Sequence, residues 1–104
     1  MSKFNDIDFQ QDFNKWKEYE ALLTELFKDK SGSTSELMEK GILLLADVIS
    51  KAEEATPLNF VDRFSFIKKN KQNYAAFRQL DELFIEVNKK IARLRVMESK
   101  QVKR

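Results

Sequence analysis

The plainest chemical character in the chain lies in its last stretch, Asn88 to Arg104, NKKIARLRVMESKQVKR. Seven of these side chains are cationic and Glu98 alone is anionic. Cations at this density can grip phosphates, an acidic protein surface or an anionic membrane. They are equally what a solvated helix end prefers, because the helix dipole sets negative potential at its C-terminus. Function turns on which of the two this stretch is.

Catalytic chemistry finds few parts elsewhere. The chain has no His and no Cys, so the commonest general base and the thiol nucleophile are both missing. Seven Ser residues occur, none beside a suggestive base. Two Gly residues cannot build a phosphate-cradling loop. DIDFQQD, Asp6 to Asp12, opens like a calcium loop. It fails at Gln11, where the turn needs Gly, and at Lys17, where the bidentate Glu belongs. Di-metal carboxylate bundles add His to their Glu residues, and none exists. The expectation is a non-catalytic protein with no metal and no cofactor.

The elements that position these residues follow from periodicity. With 104 residues, 42% of them apolar, the chain suffices for one core, and the reading takes 1–104 as a single domain. Two Gly and one Pro favour a few long elements, hence helices. Without Cys the core must hold the fold unaided. The N-terminus MSKFNDID shows no signal-peptide pattern, and ILLLA from Ile42 is far too short to cross a bilayer; a cytoplasmic site is the default expectation.

Four helices are predicted. The first spans about Asp8 to Lys28, with Phe9, Phe13, Trp16, Leu23 and Phe27 forming a stripe that Tyr19, Leu22 and Leu26 widen. Asn5, Asp6 and Asp8 are its cap candidates. Glu20 falls within the apolar arc, either at its rim or in a buried ion pair with Arg78. Ser33 and Glu36 form a capping-box pattern, so the second helix starts near Thr34. Its face collects Leu37, Met38, Gly41, Leu44, Leu45, Val48, Ile49 and Ala52. Gly41 costs about 1 kcal/mol in propensity there, which suggests another helix backbone passing close. Thr56-Pro57 is read as N-cap and first residue of a short third helix with the stripe Phe60, Val61, Phe64 and Ile67. RFSFI also alternates, so an extended segment competes. The fourth helix begins near Gln72 and places Phe77, Leu80, Phe84, Val87, Ile91 and Leu94 on an a/d seam. Its seam lacks a register-setting polar residue, so a monomer or weak dimer is expected. The fold class is all-α: a small antiparallel bundle of three long helices plus one short helix.

Charge divides along the chain. Met1 to Phe60 carries 7 cations against 12 anions, and Val61 to Arg104 carries 12 against 5. Helical geometry puts Lys89, Arg93, Lys100 and Lys103 on the outward side of the fourth helix, with Glu82 and Glu86 upstream and Glu86–Lys90 as an i,i+4 pair. Ile85, Ala92 and Val96 interleave with those cations, unless the helix lies centrally and buries both sides. Phe66, if the third helix is continuous, points away from its core stripe toward Asp62, Arg63, Lys69 and Asn70. The candidate binding residues are therefore Phe66, Lys69, Ile85, Lys89, Arg93, Val96 and Lys100. In size, charge and helical character the chain is similar to small bacterial and phage proteins, bacteriocin immunity proteins among them, without a shared motif. The sequence thus points to an adaptor, inhibitor or immunity-type factor that binds a protein partner. Nucleic-acid binding through the same cations is the alternative, and a membrane surface ranks third.

Overall fold

The computed structural model describes residues 8–30 and 32–102, with side chains through residue 98. Its elements are α1 (Gln10–Asp29), α2 (Ser35–Lys51), a 3₁₀ turn (Glu53–Ala55), α3 (Phe60–Lys69) and α4 (Tyr74–Val102). Among the described residues there is no strand. The expected all-α bundle of three long helices and one short one is what the chain forms, and RFSFI is helical.

Aromatic contacts fix the helix order. Phe27 meets Tyr74 and Phe77, Phe13 meets Phe84, and Arg95 lies over the Phe9 ring. The end of α1 therefore faces the start of α4, and the two run antiparallel. Trp16, with Leu23, forms the buried spine of α1, and its indole stacks on Phe84 at 4.5 Å between centroids. Met38, Ile42, Leu45 and Val48 supply the α2 side, and Phe77, Leu80, Leu83, Phe84, Val87 and Ile91 the α4 side. Ile42 and Leu83 lie outside the narrow stripes read from spacing. A helix with neighbours on two flanks buries a wider arc than an a/d seam.

Gly41 needs its missing side chain for a ring, not for a backbone. A Cβ there would stand 2.6 Å from Trp16 Cζ3 and 3.1 Å from Leu80 Cδ2. The close helix backbone expected at this point is thus replaced by the indole of α1 wedged against α2.

The helix starts depart from expectation. Phe9 stands at the N-cap of α1 and no side chain caps it; Asp8, one residue earlier, accepts from the Gln10 N–H with its Oδ1 at 2.9 Å, and Asn5 and Asp6 lie outside the described residues. Ser33 and Glu36 do not close a box: Ser33 Oγ accepts from Ser35 N at 3.2 Å, and the Thr34 hydroxyl donates across to the Lys71 carbonyl at 2.7 Å. That bond ties the start of α2 to the α3–α4 turn. α3 starts at Phe60, not at Pro57. The Thr56 hydroxyl turns backward, donating to the Glu53 carbonyl at 2.6 Å, so it closes the 3₁₀ turn behind it, and α3 starts four residues further on. Asn59 makes the reversal into α3 with φ 57°, a left-handed conformation that Asn tolerates. Val61 consequently rotates off the core and is 77% exposed, and Leu22 on α1 is likewise exposed. At α4 the Asn73 carboxamide accepts from Ala75 N at 2.7 Å, which sets the helix start.

Candidate basic-apolar interface on the fourth helix

With its seam committed to the core, α4 leaves a second stripe free. Ile85, Lys89, Ala92 and Val96 follow one another at four, three and four residues, so they form one line along the helix. All four are exposed, Ile85 at 45% and Val96 at 55%. Arg93, also exposed, borders them. Burial of both sides of α4, which would have removed this surface, does not occur. Lys100 continues α4 past the last described side chain, and Lys103 lies outside the described residues.

The stripe runs beside a cleft. Between α1 and α4, Phe13, Trp16 and Lys17 face Asp81, Ile85 and Lys89 across an open depression of about 150 Å³. Its floor is the Trp16 indole, held by contacts on several sides. The Trp16 indole N–H donates to Asp81 Oδ1 at 2.9 Å, while its ring is held between Phe84 and the α2 backbone at Gly41. Asp81 also lies 3.9 Å from Arg78. Arg78 thus serves its own helix, and the pair with Glu20 is not among the described contacts. Glu20 sits beside the Thr24 hydroxyl, 3.4 Å from its Oε2, at the rim of the apolar arc.

The other flank of α4 is closed by charge. Arg63 of α3 makes a two-pronged pair with Glu86, Nη1–Oε1 at 3.0 Å and Nη2–Oε2 at 2.6 Å, and its Nε donates to Gln79 at 2.8 Å. Glu86 therefore makes its contact ion pair with Arg63, and Lys90, at the i,i+4 position the spacing suggested, acts on its charge only at longer range. Lys90 instead donates to the Thr56 carbonyl at 3.1 Å. A planar guanidinium satisfies both carboxylate oxygens at once, which an i,i+4 ammonium cannot. The hydrogen bonds from Arg63 push the Glu86 carboxyl below its usual range, against a smaller opposing effect of burial.

The six candidates with described side chains do not form one patch. Ile85, Lys89, Arg93 and Val96 share the outer side of α4. Lys69 lies by the α3–α4 turn with Asn70, Lys71 and Gln72. Arg93 is nineteen residues into α4 from Tyr74, about 28 Å at 1.5 Å per residue. Phe66 is exposed as expected, at 39%. It belongs to α3, however, on the flank opposite the Ile85 cleft. Spacing missed the cleft itself, although Trp16 and Asp81 are its natural signal: a buried indole N–H needs an acceptor.

Fold and surface together define a small helical bundle that presents one exposed basic-apolar helix face. Residues 49–99 match the profile of a family described as YpoC-like protein. The similarity covers just under half of the chain, from the end of α2 through α3 to the exposed stripe of α4, and leaves α1 outside. No curated protein and no solved structure matches the chain. Among the described residues no helix is long and apolar enough to cross a membrane.

Proposed function

We propose that the protein is a non-catalytic interaction factor, an adaptor or inhibitor that binds a protein partner through the outer face of α4. The observation that carries this reading is the exposed line Ile85, Ala92 and Val96, set among Lys89 and Arg93. Apolar side chains in a row beside cations suit an interface in which anchors supply affinity and rim charges supply steering. Phosphate binding would rest on the cations alone and would not need the apolar line.

Co-purification from the native host, with nuclease treatment, tests this. Ile85→Ser with Val96→Ser should reduce partner capture more than Lys89→Ala with Arg93→Ala, with helicity kept in both. If the cation pair alone abolishes capture and wild-type binding collapses between low and moderate salt, the ligand is a nucleic acid. If neither pair has an effect, α4 is not the interface.

A further inference from the structure

Ends of all four helices meet at one end of the bundle. α1 finishes beside the start of α4, where Phe27 meets Tyr74. The Thr34–Lys71 bond ties the start of α2 to the turn between α3 and α4. Two depressions open there. One, of about 410 Å³, follows the α3–α4 turn, with Lys68, Lys69 and Lys71 beside Gln72. The other, of about 550 Å³, lies between α1 and α4, where Phe27, Lys28 and Lys30 face Gln72 and Tyr74. Gln72 lines both, so the two adjoin.

Charge across this surface is one-sided. The two linings hold five lysines and, among the described residues, no carboxylate. Lys71 is committed to Glu39 at 2.6 Å, and Lys68 lies over the Phe64 ring. Lys28, Lys30 and Lys69 are exposed and belong to no ion pair among the described residues. The helix dipole favours cations at the ends of α1 and α3. It equally favours an anion at the start of α4, and the first turn of α4 carries no acidic residue. At that helix start the chain supplies no anion of its own.

Tyr74 adds an aromatic face. Phe27 and Phe77 stack on each other at 20°, whereas Tyr74 meets them at 78° and 60°. Tyr74 is thus left without a parallel partner among the described residues, and it is 56% exposed. A planar base can stack on such a ring whatever its identity. The mounting is firm. The Asn73 N–H donates to the Asn70 carbonyl at 2.9 Å and closes the turn, and the Asn73 carboxamide holds the start of α4.

We propose that this end of the bundle binds single-stranded nucleic acid, with one base on Tyr74 and neighbouring phosphates against Lys28, Lys30 and Lys69. The site is separate from the α4 face and does not rest on the protein-partner reading above. An exposed ring beside unpaired cations selects a strand with splayed bases. A duplex hides the faces of its bases, and a bare polyphosphate has none.

The probe is an end-labelled oligothymidylate of about 12 nucleotides, titrated with the full chain and followed by fluorescence anisotropy. Binding should be saturable at low salt. Log affinity should fall against log salt with a slope of about −2, which is about 0.7 for each of three phosphates. Lys28→Gln with Lys30→Gln should flatten that slope by about 1.4. Tyr74→Leu keeps an apolar side chain against Phe27 and should weaken binding at least about fivefold with the slope unchanged. Tyr74→Phe keeps the ring and should bind as wild type does. Circular dichroism should show equal helicity in every variant. Lys89→Ala with Arg93→Ala should leave binding unchanged. No saturable binding, equal competition by a duplex or by inorganic polyphosphate, or wild-type affinity in Tyr74→Leu overturns the proposal. Loss of binding in the Lys89/Arg93 variant alone moves the contact to α4 and overturns it as well. The α4 protein interface is read separately, from partner capture by the Ile85/Val96 variant.

Discussion

Gly41→Ala separates two opposed effects, and their difference in sign makes it a strict test of the core. Ala is about 1 kcal/mol better than Gly inside a helix, so propensity alone predicts stabilisation. The structure predicts the reverse. The added methyl would meet Trp16 Cζ3 at 2.6 Å, Trp16 Cε3 at 3.2 Å and Leu80 Cδ2 at 3.1 Å. Relief requires the indole to move by most of an ångström, and it is held on its far side by Phe84 and at its N–H by Asp81. Overpacking of this kind costs typically 1–3 kcal/mol, and a pinned aromatic ring places it near the top of that range. The net is a destabilisation of about 2 kcal/mol. At about 4–8 °C per kcal/mol for a domain of this size, the melting temperature should fall by roughly 10 °C. Gly32→Ala is the internal control: its Cβ would find Leu26 Cδ2 at 3.7 Å, an ordinary contact, and stability should hold or rise slightly. Thermal melts by circular dichroism, checked by urea titration, decide the matter. In a Trp16→Phe background the cost of Gly41→Ala should shrink by at least about 1 kcal/mol, because contacting residues couple. A Gly41→Ala protein that melts at or above wild type would refute the wedge.

Two further outcomes follow from the packing and the charge pair. Leu45 is fully buried, so Leu45→Asp strands an unpaired carboxylate in the core at a cost above about 4 kcal/mol; loss of a cooperative melt is expected, and a transition near the wild-type temperature would contradict the core. Arg63→Ala should cost about 1 kcal/mol at neutral pH, since Glu86 is 39% exposed and solvent screens the pair. The Glu86 carboxyl is held below its ordinary value of 4.5 by its Arg63 hydrogen bonds, so the pair stabilises above that value and its contribution is lost as pH falls through the folded pKa. Urea midpoints of wild type and variant should therefore converge as pH falls below the folded Glu86 pKa; a gap that persists there would assign the cost to the lost Arg63 bonds to the Leu58 carbonyl and Gln79 instead.

What the sequence could and could not disclose divides along the physics of each feature. Periodicity is local information, and it placed four helices, the α4 seam and the outward position of Ile85 and Val96, since each depends on the helical repeat alone. Features that depend on how two elements meet were misread. Gly41 signals a close approach, but whether a backbone or an indole fills the space depends on the α1–α2 crossing. Glu86 and Lys90 are well spaced for an i,i+4 pair; a guanidinium sixteen to twenty-three residues away in sequence, bonded to Gln79 and Glu86 alike, wins because it satisfies both carboxylate oxygens. Thr56 looked like a cap ahead of Pro57, yet the same hydroxyl could serve the turn behind it, and only the 3₁₀ geometry chooses. The candidate set failed to converge for the same reason. Phe66 and Lys69 share basic-aromatic character with α4, but character does not fix distance: the antiparallel return of α4 carries Arg93 and Val96 away from the turn that holds Lys69. The cleft was hidden most completely, because its two walls come from opposite ends of the chain. Its trace in the sequence was one buried Trp requiring an acceptor, and that acceptor, Asp81, sits one turn before the exposed Ile85 that joins the cleft to the stripe.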